Sequence, residues 1–125
     1  MNMSKPILVA IDDEPEFIDM IKSYFEPRGY DIAVTTYGAK GIELIKEKSP
    51  NVVLVDLKMP GIDGDEVLSL IKSMDPSPKA IFITAYDDGG KTKARLLSMG
   101  AYACLDKPIP SLKDLEEMVN KAAQK

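Results

Sequence analysis

The residues of this chain best suited to chemistry are the pair Asp12-Asp13, the lone Asp56, Thr84 and the triplet Asp106-Lys107-Pro108. Each follows a short apolar run. If those runs are neighbouring strands, three carboxylates, a hydroxyl and an ammonium meet at one place. Taken singly, an aspartate after a strand often caps a helix or turn. A threonine there is an ordinary strand residue, and a lysine is a solvated surface charge. Together the groups are costly, because clustered carboxylates repel and burial raises the cost of each charge. A hard cation such as Mg2+ (or Mn2+) favours oxygen ligands and offsets that repulsion. One such cation together with Lys107 neutralises three carboxylates. A phosphoryl group on one aspartate would upset this balance by about one charge. Its oxygens would seek the cation, the ammonium and a hydroxyl donor such as Thr84. The chemistry indicated is phosphoryl transfer by positioning and charge neutralisation.

These residues must be positioned by regular elements. Five apolar runs recur, at Ile7–Ile11, Ile32–Thr36, Val52–Val55, Ala80–Ile83 and Ala101–Leu105. Four are nearly continuous in apolar character, as expected of strands covered on both faces. The second partly alternates and reads as an edge strand. Helical spacing links Phe17, Ile18, Ile21 and Phe25, with Pro15 near the start. Further helices are expected around Ile42 and Ile45, from Val67 to Met74, over Lys91–Ser98, and from Leu112 to Ala122 with Ser111 as N-cap. Alternating strands and helices imply a parallel sheet with right-handed crossovers. Ligands of such sheets sit beyond the carboxyl ends of the strands, where these residues fall.

Composition excludes much else. The chain has 125 residues, one domain's worth, read as a single unit over 1–125. It contains no histidine and one cysteine. A Ser-His-Asp triad, a Cys-His pair, an HExxH metal site and an internal disulfide are therefore impossible. A net charge of −4 and no basic run argue against direct nucleic-acid binding. No apolar segment approaches the roughly 20 residues needed to span a bilayer, and the start does not read as a secretory signal. A cytoplasmic protein without membrane insertion is expected.

The motifs are similar to those of the receiver domain of two-component response regulators. The resemblance rests on Asp12-Asp13-Glu14-Pro15, on Asp56-Leu57-Lys58-Met59-Pro60-Gly61-Ile62-Asp63-Gly64, and on Thr84-Ala85, Gly100-Ala101 and Lys107-Pro108. It covers essentially the whole chain. It implies a flavodoxin-like α/β fold: a doubly wound five-stranded parallel sheet, order 2-1-3-4-5, with five helices. Asp56 would be the phosphoacceptor, supplied by a sensor histidine kinase or phosphotransfer protein. Asp13, Asp12 (largely through water), Asp56 and the Lys58 backbone carbonyl would hold Mg2+. Thr84 would bond a phosphoryl oxygen, Lys107 would pair with the phosphoryl group, and Lys107–Pro108 would be a cis peptide. The protein would be an enzyme only in assisting its own phosphorylation and dephosphorylation. The output would be altered binding to a downstream protein through the fourth helix, fifth strand and fifth helix. The final helix reaches almost to Lys125 without a linker. That favours a stand-alone regulator over one with an effector domain further on; a phosphorelay intermediate is a third form.

Two positions depart from the pattern or flank the site. The family usually has a switch aromatic three residues before the lysine; here it is Cys104, expected in the core. Bulky Tyr86, two residues after Thr84, is expected to restrict water at the acyl phosphate. Tyr86→Ala should then lose its phosphoryl group faster than wild type, measured as decay of the phosphoform. Two rival readings have specific weaknesses. Ala85 to Thr92 nearly spells a nucleotide-binding P-loop, but Ala85 replaces its first glycine, and Asp87 and Asp88 would face phosphates. A Mg2+-dependent aspartyl phosphatase would want an acid two residues after Asp56, where Lys58 stands.

Overall fold

The computed structural model describes residues 5–57, 59 and 61–124. The chain alternates β1 (Ile7–Ile11), α1 (Pro15–Phe25), a single 3-10 turn (Glu26–Arg28), β2 (Asp31–Thr35), α2 (Gly38–Lys48), β3 (Val52–Val55), α3 (Gly64–Lys72), β4 (Lys79–Thr84), α4 (Lys91–Ser98), β5 (Ala103–Asp106) and α5 (Leu112–Ala123). All strand pairs are parallel, in the order β2-β1-β3-β4-β5. This is the expected five-stranded sheet, with β2 on an edge.

Strand alternation sorts the apolar residues onto two faces. Leu8, Ala10, Leu54, Ile81 and Ile83 join Ile18, Ile21 and Phe25 of α1 and Leu115, Val119 and Ala122 of α5 in one core. Val9, Ile11, Val53, Val55 and Phe82 join Ile45 of α2, Val67, Leu68 and Ile71 of α3, and Leu96 of α4 in the other. Each fully buried Val, Leu, Ile or Phe among them contributes about 1.5–3 kcal/mol of transfer free energy. Helix starts follow local chemistry. Pro15 opens α1, where its missing N–H costs nothing. Asp63 accepts the Glu66 N–H at 2.9 Å, and Ser111 accepts the Asp114 N–H at 3.1 Å.

Boundaries shift by a residue or two at some strands. The fifth apolar run begins at Ala101, yet β5 begins at Ala103. The Ala101 N–H is taken by the Leu96 carbonyl, closing the end of α4. On the edge strand, Ile7 pairs with Asp31 and Ile11 with Thr35, so Thr36 lies beyond the ladder.

Small residues let α2 approach the site. A methyl group at Gly38 would lie 2.8 Å from the Gly61 backbone and from Cβ of Ile62. At Gly41 it would lie 2.5 Å from Cδ1 of Ile11. Such distances are closer than packed carbons tolerate, so glycine holds α2 against the end of β1 and the loop following Asp56.

Candidate functional site

Main-chain bonds running past the strand ends place the chemical residues. The Asp12 N–H donates to the Thr35 carbonyl (3.2 Å), the Asp56 N–H to the Ile11 carbonyl (3.0 Å), and the Lys107 N–H to the Thr84 carbonyl (2.9 Å). Each residue is therefore locked to the neighbouring strand one step beyond the regular ladder. Asp12, Asp56 and Lys107 continue the alternation of the α1/α5 face, and Thr84 that of the opposite face.

The result is an acidic cluster. Asp12, Asp13 and Asp56 each offer a carboxylate oxygen, all within 4.8 Å of one another. Asp12 is 2% and Asp56 7% exposed, while Asp13 faces solvent. The Lys107 ammonium lies 2.8 Å from Oδ2 of Asp12 and 3.6 Å from Oδ2 of Asp56. It also bonds Oε1 of Glu14 and sits 4.6 Å from the centroid of the Phe17 ring. Thr84 is buried, and its Oγ1 accepts the Tyr86 N–H at 3.1 Å. Its hydroxyl proton remains a potential donor. The Lys107–Pro108 peptide is cis.

Charge balance at the site is tight. Burial pushes the Asp12 carboxyl above its usual range, against the opposing pull of Lys107 and the Glu14 N–H. Burial works to lower the Lys107 ammonium, but its bonds to Asp12 and Glu14 and the nearby Asp56 charge prevail and raise it. Oδ2 of Asp12 accepts no hydrogen bond of ordinary geometry, although Lys107 lies within ion-pair distance. A buried anionic oxygen left short of donors, beside two further carboxylates, is a donor set suited to a hard divalent cation.

Of the sequence-identified residues that can be described, Asp12, Asp13, Asp56 and Lys107 gather here, with Thr84 joined to Lys107 through the main chain; two others need qualification. Lys58 lies outside the described residues, and so does its expected carbonyl ligand. Cys104 is half-buried, not a full core residue as expected. It pairs in register with Phe82, with Sγ 4.0 Å from the Lys93 carbonyl, because β5 forms an edge of the sheet. Burial raises its thiol above the usual range, Lys93 only partly opposing, so it is not an activated thiolate. Tyr86 is half-buried.

Sequence reasoning missed Glu14 and Phe17 as neighbours of Lys107. Glu14 adjoins the acidic pair, but its ammonium partner is 93 positions away. Phe17 carried only a helix-core signal. The P-loop reading loses its cradle. The Asp88 carboxylate takes both the N–H and the hydroxyl of Thr92, and Asp87 takes the Gly89 N–H. The donors that would wrap a phosphate are bonded to the loop's own acids.

Comparison with known proteins agrees with this geometry. A family model described as the response regulator receiver domain matches residues 7–120. Sporulation initiation phosphotransferase F of Bacillus subtilis (strain 168) is 30% identical over 86 residues, covering 69% of this chain and 68% of that protein. Response regulator SaeR of Staphylococcus epidermidis is 29% identical over 101 residues, covering 81% of this chain but 43% of its own length. The Francisella response regulator 1452 receiver domain superposes with a TM-score of 0.82 at 28% identity, covering 95% of this chain and 97% of that one. Among the described residues, no helix is long and apolar enough to cross a membrane. The chain belongs to the response regulator receiver domain family, the phosphorylatable switches of two-component signal transduction.

Proposed function

We propose that Asp56 accepts a phosphoryl group from a phosphohistidine on a sensor kinase or phosphotransfer protein. The observation that carries this reading is the cluster of three carboxylates held within 4.8 Å against one lysine whose side chain is 10% exposed. Asp12, Asp13 and Asp56 would hold Mg2+ or Mn2+, with the Lys58 carbonyl as a further ligand. When bound, the cation offsets the carboxylates and attracts phosphoryl oxygens. Asp56 provides the attacking oxygen. Lys107, already 3.6 Å from that carboxylate, neutralises charge arriving on the phosphoryl group. Thr84 is fixed by the Tyr86 N–H so that its proton can be given to a phosphoryl oxygen. The 125 residues contain no histidine, so the donor imidazole lies outside them.

The protein assists only its own phosphorylation and dephosphorylation. Its output is a change in binding to a downstream protein, or to an effector domain of its own. New contacts at Thr84 and Lys107 bias the surface formed by α4, β5 and α5. The working compartment is the cytoplasm.

Intact mass after incubation with Mg2+ and acetyl phosphate tests the acceptor. One added phosphoryl group is expected for wild type and none for Asp56→Asn or in the presence of chelator. An addition that survives Asp56→Asn would place the acceptor elsewhere. If acetyl phosphate alone does not react, transfer from a cognate phosphorylated kinase decides the matter.

A further inference from the structure

We infer that Glu14 is a positioning residue that competes with the phosphoryl group for Lys107, and so sets how tightly the site grips that group. The inference rests on the phosphoacceptor reading above.

The ammonium of Lys107 can direct three N–H donors. Its shortest contacts are to Oδ2 of Asp12 and Oε1 of Glu14, and the longer 3.6 Å approach is to Asp56. Phe17 lies 4.6 Å away. The ammonium is therefore held closer to the start of α1 than to the acceptor.

The two short partners differ in what separation would cost them. The Asp12 side chain is 2% exposed and could not be rehydrated if Lys107 left. The Glu14 side chain is 61% exposed and can exchange the ammonium for water at little cost. Glu14 is thus the partner that yields when phosphoryl oxygens on Asp56 attract Lys107. Its carboxylate makes no capping bond to α1, so it has no evident structural task at that helix start. The contact is intrinsic to the resting site, and its rupture is part of the cost of switching.

Removing the Glu14 charge should free Lys107 for the phosphoryl group. Beryllofluoride, made from beryllium chloride and excess fluoride, serves as the phosphoryl mimic. It is titrated calorimetrically into the full chain at saturating Mg2+. Glu14→Gln is expected to tighten binding about threefold, the scale of a partly exposed ion pair. Glu16→Gln is the control. It removes the same charge two residues away, on α1, from a carboxylate that is exposed and outside the Lys107 ion pairs. It should change affinity by less than half as much. In the free protein, the Lys107 ammonium nitrogen resonance should move in Glu14→Gln and stay in place in Glu16→Gln. An unchanged or weakened affinity in Glu14→Gln, an equal effect in both variants, or an unmoved Lys107 resonance would overturn the inference. If wild type fails to bind the mimic, the phosphoacceptor reading falls and this inference with it.

Discussion

Lys107→Met is expected to lower the unfolding free energy by about 3 kcal/mol at neutral pH in the presence of chelator. Lys107 sets a positive charge against two buried carboxylates, at 2.8 Å from Asp12 and 3.6 Å from Asp56. Methionine retains most of the apolar stem but removes the ammonium that lies against Asp12 and Asp56, beside the third carboxylate of Asp13. Breaking a buried pair by removing one partner is costly because the remaining charge keeps its desolvation penalty. Urea unfolding of wild type and variant reads the difference. Mg2+ should restore part of it, because a ligand that binds only the folded state stabilises by mass action.

The pH dependence has a definite sign in metal-free buffer. The Lys107 ammonium titrates above its ordinary value of 10.5 in the folded protein. Its stabilising contribution is fully present below that value and is lost as pH rises through the folded pKa. The Asp12 carboxyl also titrates above its ordinary 3.8. Between 3.8 and its folded pKa the native state holds more protons than the unfolded state, so stability falls as pH rises across that window. Losing Lys107 removes the groups' main counter-effect on Asp12 and extends the window upward. The gap between variant and wild type should therefore narrow on acidification. A variant as stable as wild type at neutral pH under chelation would show that Lys107 does not hold the cluster together.

Phe82→Ala is expected to cost about 4 kcal/mol, a large share of the roughly 5–15 kcal/mol that stabilises a domain of this kind. Phe82 is fully buried in β4, between Val55 and Cys104. Its ring edge approaches Gly64 at the start of α3, where Leu57 and Leu96 also converge. Leu96 is the only buried residue of α4. The cavity would therefore remove packing beneath the one side chain that anchors this helix. Equilibrium denaturation measures the total loss. Amide exchange should show α4 losing protection ahead of the central strands. Uniform loss of protection across the sheet would mean that α4 is anchored by other contacts, such as the Arg95–Asp65 ion pair at 2.5 Å.

Much of the fold was legible because its signals are local. Apolar runs bounded by turn residues identified β1 and β3 to the residue, and the partial alternation of residues 32–36 marked β2 as an edge. The end of α4 was less legible. Gly100 signalled a stop, but whether Ala101 and Tyr102 join a strand depends on where the Leu96 carbonyl finds its donor. Residue type alone places Cys104 in the core. Its exposure depends on its place in the sheet, and β5 is an edge.

The sequence by itself determined the chemical inventory: three aspartates, a threonine and a lysine, each just beyond an apolar run, and no histidine to donate phosphate. Parallel topology follows from the strand–helix alternation, and it brings those residues to one edge of the sheet. Only the tertiary structure decided how the charges pair. Lys107 is drawn to Asp12 and Glu14 more closely than to Asp56, and Phe17 supplies a ring beside it. Spacing along the chain carries no information on such contacts, because long side chains choose partners by distance, burial and competing charge after the strands have assembled. Lys107 and Glu14 are 93 positions apart, and their contact exists only because β5 and the start of α1 end at the same edge.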